Sequence, residues 1–480
     1  MFQNYTVTTR PENGPPRLAR LREKIRACKV DAFLVPRADR FQGEYVAPCD
    51  ERLSWLTGFT GSAGFAAITQ EHAGVFVDGR YRLQARAQVA DVFTPVDWPD
   101  TKLGPWLAEH LEDGTTIGFD PWLHTREEVT ALRKALGGTR ALTPTHNLVD
   151  SIWDDRPSPP SAPARAHPIE FAGEKSGEKR ARLAEELKSA GQKSAVITLP
   201  DSICWLLNIR GSDIPRNPIV HAFAILHDTG CVSLFSDPAK FDDLGPDPNI
   251  DLAPWGGFET ALAALDGPVR LDPKTAPEAI GHLLEANEIE IAWADDPCSL
   301  PKARKNDAEM QGMRDAHLTD AVAMIEFLAW LDTEAPKGHL SEIGAAQTLE
   351  ELRRMSNALQ DISFETISGA GPNGAIIHYR VTEETNRGIT PGELYLVDSG
   401  GQYLNGTTDI TRTVAVGDVD DEPRDCYTRV LQGMIAVSTA RFPKGIAGRD
   451  LDALARQALW RAGLDYDHGT GHGVGAYLAV

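Results

Sequence analysis

Two aspartates, Asp398 and Asp409, stand eleven positions apart in the stretch Leu394 to Val414, LYLVDSGGQYLNGTTDITRTV. Leu394 to Val397 reads as an apolar strand, Gly400-Gly401 and Asn405-Gly406 are turn signals, and Thr407 to Val414 is rich in β-branched residues, so two paired strands are expected. Side chains facing each other across such a pair sit roughly 5 Å apart, which aims both carboxylates at one spot. Two bare carboxylates at that separation repel, and either one takes a proton or a cation sits between them. A hairpin alone asks for neither, because Asp beside Gly is ordinary turn chemistry. The argument for a metal strengthens at His468-Gly-Thr-Gly-His472-Gly-Val-Gly, where two imidazoles, the commonest neutral metal ligands, stand among residues that let backbone and ligand approach closely. Upstream, the Gly-Pro-Asn-Gly loop of ISGAGPNGAIIHYR (Ile367 to Arg380) feeds a short apolar run, read as a strand, that delivers His378 and Tyr379.

In this order His378, Asp398, Asp409, His468 and His472 resemble the metal-dependent aminopeptidase P and prolidase family of pita-bread fold, and the likeness to the long, three-domain aminopeptidase P type runs along almost the whole chain. Its strongest motifs are VDSG with GTTDITRT, and HGTGHG. The resemblance implies two divalent metal ions, usually manganese, held by two aspartates, one histidine and two glutamates. The matching motifs place Asp398, Asp409 and His472 among those ligands. It also implies that His378 and His468 contact the substrate and support the tetrahedral intermediate, and that Arg80, in Asp78-Gly79-Arg80-Tyr81, is offered toward the substrate by the first domain. The implied reaction releases the first residue of peptides with proline in second position, by a homodimer joined through the catalytic domain. An Xaa-Pro bond needs a dedicated pocket, since proline lacks the backbone N–H and restricts the residue before it. The sequence departs from the family pattern at Ala476 to Val480, AYLAV, which looks like an unfinished strand. Both glutamate ligands of the pattern lie beyond it, so a C-terminally incomplete pita-bread domain is expected, lacking on the order of a hundred residues. Weak metal binding and an inert fragment are then expected of the chain as it stands. The rival readings are a prolidase, which cuts only Xaa-Pro dipeptides; creatinase, which works without metal and so fits the two aspartates poorly; and a non-catalytic pita-bread binding module.

The elements that must position these groups fall into about three domains, as 480 residues require. Residues 1–153 read as a mixed α/β domain: Leu18, Leu21 and Ile25 recur at helical spacing, and Asp31 to Pro36 (DAFLVP) reads as a buried strand. Residues 154–167, DDRPSPPSAPARAH, are a Pro-rich linker. The pattern then restarts over 168–300, with Trp55-Leu56 and Gly61-Ser62 recurring as Trp205-Leu206 and Gly211-Ser212 at a constant offset of 150. Two copies mean sister domains, not a solenoid; with the family resemblance, both are creatinase-N-like. In 301–480, Asn306 with Glu309 forms a capping-box start to a long helix, and helices alternating with an antiparallel sheet give an α+β catalytic domain.

Composition excludes several classes of partner. With 69 acidic against 48 basic residues the formal charge is −21, which opposes nucleic acid and anionic membrane alike. No apolar run approaches the roughly 20 residues that span a bilayer, and MFQNYTVTTRPENGPP has neither the basic nor the apolar part of a secretory signal, so a cytoplasmic location is expected. Cys28, Cys49, Cys204, Cys231, Cys298 and Cys426 are scattered without CxxC spacing, against a disulfide framework or a zinc knot.

Overall fold

Leu18, Leu21 and Ile25 form the buried face of the helix Gly14–Ala27, as their spacing predicts. A computed structural model describes residues 1–480. The helix covers a six-stranded sheet built from β1 (Ala32–Pro36), β2 (Phe65–Thr69), β3 (Ala73–Val77), β4 (Thr94–Asp97), β5 (Thr116–Phe119) and β6 (Ala141–Pro144), in the order β4-β3-β2-β1-β5-β6. β1 runs antiparallel to β2 and parallel to β5, and its apolar run is buried on both faces, as an inner strand of a covered sheet must be.

The chain then makes β7 (Arg165–Ala166), β8 (Ser194–Ile197), β9 (Ile209–Arg210), β10 (Phe223–His227), β11 (Val232–Ser236), β12 (Ile250–Pro254), β13 (Val269–Leu271) and β14 (Ile291–Trp293). β7 pairs only with β9, and the other six form a second sheet in the order β12-β11-β10-β8-β13-β14. Strand for strand, order and direction repeat those of the first sheet. The repeated Trp-Leu pairs occupy equivalent helices, Arg52–Thr57 and Pro200–Leu207, and Leu56 and Leu206 are both fully buried in their own cores. The internal duplication is thus a duplication of architecture. The Pro-rich stretch carries no helix or strand from Asp154 to Ala164, but its end is not free chain: Ala164 N–H donates to the Lys240 carbonyl (2.7 Å) and β7 follows at once.

The 28-residue helix Asp307–Glu334 starts where the sequence places it, with the Asn306 side chain accepting from Glu309 N–H and Glu309 accepting from Asn306 N–H, both at 2.9 Å. With the helix Glu342–Arg354 it backs two small sheets made by β15 (Leu359–Ile362), β16 (Ile367–Ala370), β17 (Leu394–Ser399), β18 (Gly401–Tyr403), β19 (Gly406–Thr407) and β20 (Ile410–Ala415). Their orders are β16-β17-β20 and β15-β18-β19, antiparallel throughout. The helices Asp421–Ser438 and Gly448–Trp460 complete the region, and no helix in the chain is long and apolar enough to cross a membrane.

Three local expectations change. β17 and β20 do pair, but Asp398 lies opposite Thr411 and Ser399 opposite Ile410, so Asp409 is a diagonal neighbour of Asp398 and not its partner. Between the two, the chain leaves for the other sheet as β18 and β19 instead of turning at once. His378 is not on a strand: the Gly-Pro-Asn-Gly loop winds into a 3-10 turn, Gly371–Ala375, and His378 follows in a turn with φ of +57°. Finally, AYLAV forms no strand. It bends, burying Ala476 and Leu478, and its carbonyls are taken by Arg210, which donates to Ala476 (3.0 Å) and Tyr477 (2.5 Å), and by Gln402, which donates to Leu478 (2.9 Å).

Candidate metal centre and substrate site

β17 carries Asp398 to the end of a buried strand and β20 begins one residue after Asp409, so the two-sheet excursion brings the carboxylates together across a diagonal. Side chains so related remain within reach of each other. Asp398 Oδ1 is buried and has no hydrogen-bond partner. Burial pushes the Asp398 carboxyl up to about 6, with Asp409 beside it adding to the rise and the Thr411 hydroxyl opposing it. On the far side of Asp409, His472 Nε2 lies 3.3 Å from Oδ2. His472 Nδ1 lies 2.9 Å from the Gly473 carbonyl, which can only accept, so Nδ1 carries a hydrogen and Nε2 is the nitrogen turned toward the Asp409 carboxylate. An imidazole nitrogen facing one carboxylate, next to a second carboxylate with an unpaired buried oxygen, is a donor set that a divalent cation satisfies. The set is open: nowhere do three His, Cys, Asp or Glu side chains close around one point, and Asp409 is the neighbour that Asp398 and His472 share. The chemistry of the three donors fits a metal, and their geometry supplies part of a shell.

Gly400 fixes this arrangement. A Cβ there would lie far inside contact distance of the Thr408 carbonyl oxygen and of Ser363 Oγ, so the backbone passes through a space that admits no side chain. Gly400→Ala is expected to cost about 3 kcal/mol by overpacking, read as a fall in thermal unfolding temperature, and to separate Asp398 from Asp409; an unchanged melting curve would contradict this account of the turn.

His378 is half-buried, and its Nδ1 lies 2.7 Å from the Tyr81 hydroxyl of the first domain, the two rings edge to face at 5.7 Å. Burial lowers its pKa, Arg80 lowers it further, and Asp398 is close enough to pull the other way. Arg80 itself is held by Asp78 in a two-point ion pair, Nε to Oδ1 at 3.0 Å and Nη2 to Oδ2 at 2.8 Å, about three-quarters buried. The same Arg80 lines a cavity of about 480 Å³ with Asp78, Pro99, Tyr466, Asp467 and His468. His468 packs on Tyr466 with ring centres 4.6 Å apart, and its Nδ1 donates to the Gly469 carbonyl at 2.8 Å.

The structure therefore groups Asp398, Asp409 and His472, sets His378 against Tyr81, and gathers Arg80 and His468 around one cavity. No hydrogen bond or ring contact joins His378 to His468. Sequence reading missed Tyr81 and Asp467. Tyr81 stands next to Arg80 in a motif already singled out, yet its partner is 297 positions away. Asp467 pairs with Arg82 at 2.8 Å and crowds Gly79 so closely that a Cβ on Gly79 would collide with it. The first domain and the His468 loop are thereby clamped together.

Family models match the whole of this architecture. The model described as metallopeptidase family M24 matches residues 311–480, and two models of the creatinase/prolidase N-terminal domain match 17–152 and 155–309. The chain is 40% identical, over 99% of its length and 75% of the relative's, to a probable Xaa-Pro aminopeptidase P of Aspergillus clavatus. It is 41% identical to that of Paracoccidioides lutzii over 97% of its own length and 79% of the relative's. The chain belongs to metallopeptidase family M24. Among solved structures it superposes on an X-prolyl aminopeptidase from Caenorhabditis elegans, described as a cytosolic enzyme with a di-nuclear active site, with a TM-score of 0.91 and 35% identity, covering 97% of this chain and 80% of that one. A prolidase from Pyrococcus horikoshii, 21% identical over 63% of this chain with a TM-score of 0.51, shares the fold. All five residues of the metal and histidine motifs fall inside the M24 match, whereas Arg80 and Tyr81 fall inside the first creatinase/prolidase match, so the candidate site is assembled across two modules.

Proposed function

We propose that this chain is a metal-dependent Xaa-Pro aminopeptidase acting in the cytoplasm, with 1–153, 168–300 and 301–480 as its domains and 154–167 as the linker. The observation that carries the reading is the buried, unpartnered Asp398 oxygen held against Asp409, in a chain 40% identical over nearly its full length to proteins of that name. Asp398, Asp409 and His472 are the residues of this chain that would contribute to holding two divalent ions; an oxygen-rich set with one imidazole suits manganese. When bound, such ions supply a water of lowered pKa and polarise the scissile carbonyl.

The chain's own groups do the rest. Asp398 and Asp409 fix where the attacking oxygen can sit, because Gly400 and the β17–β20 pairing leave their carboxylates one arrangement. Arg80, kept in place by Asp78, presents charge at the cavity where His468 waits, and suits the polar main chain of a peptide. His378, half-buried and held by Tyr81, meets the substrate beside Asp398. The Arg82–Asp467 pair ties the first domain to the His468 loop beside this cavity.

Calorimetric titration with manganese, followed by hydrolysis of Xaa-Pro and Xaa-Pro-Yaa peptides, tests the reading. The protein carrying all five ligands of the family pattern is expected to take up metal and to prefer the longer peptides, as an aminopeptidase and not a dipeptidase does. Asp409→Asn is expected to lose uptake and turnover together, and His378→Ala to keep uptake while slowing turnover roughly 10²–10³-fold, as removal of a group acting at the reacting centre does. Failure of that protein to bind metal, or turnover that survives Asp409→Asn, removes the proposal.

A further inference from the structure

Glu44, Ser62, Tyr81 and His378 form a file of hydrogen bonds that begins on the exposed surface of the first domain and ends beside Asp398. Ser62 Oγ donates to Glu44 Oε1 at 2.8 Å, Ser62 Oγ and Tyr81 Oη are 2.7 Å apart, and Tyr81 Oη is 2.7 Å from His378 Nδ1. Each hydroxyl owns one proton, and a carboxylate can only accept. The Ser62 proton is therefore committed to Glu44. Tyr81 must then donate to Ser62, because otherwise two oxygens would meet without a hydrogen between them. With its own proton used, Tyr81 can only accept from His378, so the hydrogen of a neutral His378 lies on Nδ1 and the lone pair on Nε2.

Two further observations show that this file is held rigidly. Tyr81 is 1% exposed, its ring packs edge-on against Phe59 at 5.6 Å, and a Cβ on Gly61 would already press on it at 2.8 Å, so the phenol has no second position. His378 keeps a left-handed backbone, φ +57°, a conformation that costs a non-glycine residue about 1 kcal/mol or more unless its surroundings enforce it. Among the contacts of that side chain, the hydrogen bond to Tyr81 is the one that can do so.

We infer that Tyr81 is a positioning residue, and that the Glu44–Ser62–Tyr81 file locks His378 in the Nδ1–H tautomer so that it meets the substrate as a hydrogen-bond acceptor. This rests on the peptidase reading for its substrate and on nothing but geometry for the tautomer. It also changes what His378 does: a neutral Nε2 lone pair does not donate to a developing oxyanion, but receives a hydrogen. The proline nitrogen of an Xaa-Pro bond carries none, so the amino-terminal ammonium is the donor that such a substrate brings nearest to the scissile bond. An acceptor at this position thus selects for a free amino terminus, supplied by a residue of the catalytic region but oriented by a different domain.

The test is long-range proton–nitrogen correlation spectroscopy at neutral pH on the 480-residue chain labelled with ¹⁵N-histidine, with the His378 signals assigned by their loss in His378→Gln. The unmodified protein is expected to show a protonated Nδ1 and an unprotonated Nε2. Tyr81→Phe keeps the packed ring and removes the acceptor, and Glu44→Gln, at an exposed site that leaves the fold untouched, removes the group that orders the protons; both are expected to release His378 toward the Nε2–H tautomer. For peptide hydrolysis by the protein with the full ligand set, both variants should lower kcat by roughly 10–100-fold, as loss of an orienting partner does. An Nε2–H signal in the unmodified protein, or unchanged histidine signals in both variants, overturns the inference. The spectra need no substrate and no metal, so a protein that proves not to be a peptidase would leave them readable.

Discussion

Asp320→Ala is expected to lower the unfolding temperature of the catalytic region by roughly 10–15 °C, the largest loss from any single substitution considered. Asp320 and Arg353 are both fully buried, on the helices Asp307–Glu334 and Glu342–Arg354, and meet in a two-point pair with Nε to Oδ1 at 2.7 Å and Nη2 to Oδ2 at 3.1 Å. The same carboxylate accepts from Tyr403 Oη at 2.7 Å and from Thr408 Oγ1 at 3.0 Å. Removing it leaves a buried guanidinium uncompensated, which costs about 3–5 kcal/mol. A unit of this size loses about 2–4 °C per kcal/mol. Replacing both partners, Asp320→Leu with Arg353→Met, should recover most of the loss, since two apolar groups of similar shape leave no charge behind. A single variant that melts like the parent would show that the pair is not buried as described.

The consequence reaches the candidate metal centre. Thr408 precedes Asp409 directly, and its hydroxyl also accepts from Gly401 N–H at 2.8 Å, so Asp320 pins both ends of the excursion that separates the two aspartates. Stability and site geometry are thus joined in one side chain, and Asp320→Asn, gentler on the fold, should still weaken metal uptake.

What could be read in the sequence was whatever is written over short distances. The Asn306–Glu309 cap, the Trp-Leu duplication and the pairing of the segments that carry Asp398 and Asp409 all depend on residues close in the chain or on repeated patterns, and each took shape as expected. The diagonal register was not legible, because β18 and β19 are too short to announce themselves and their pairing with β15 depends on residues some forty positions upstream. Ala-Ile-Ile, being apolar, reads as a strand that leads into His378; the Pro372 and Gly374 of its approach favour a tight turn, and the bond to Tyr81 holds the ring there. Equally hidden was the strap made by the first residues, where Gln3 exchanges hydrogen bonds with the Thr366 backbone and Phe2 N–H donates to Glu350. Periodicity reports which face of an element is buried, and says nothing of which domain buries it.

His167→Phe is expected to make the chain distinctly less sensitive to acid. His167 is 7% exposed, its ring lies 5.9 Å from that of Tyr477 and 6.2 Å from that of Phe171, and its Nδ1 has no hydrogen-bond partner. Burial, with Arg210 and Lys179 facing it, pushes its pKa down to about 3. At pH 7 the ring is neutral whether the chain is folded or not, so it costs nothing. Below the unfolded value of about 6.5 the unfolded chain binds a proton that the folded one refuses, and stability falls with pH until the folded pKa is reached. Between pH 7 and pH 4 that amounts to roughly 3 kcal/mol. Asp39 and Asp398, held up at about 7 and about 6, act with the opposite sign, because the folded state keeps their protons over a range where the unfolded state has lost them. Their contributions are common to both proteins and cancel in the difference. Urea unfolding of the parent and the variant at the two pH values should therefore show the parent losing about 3 kcal/mol relative to His167→Phe on acidification. An equal response of the two proteins would mean that the folded chain admits the proton, and that the AYLAV segment over His167 opens to let it in.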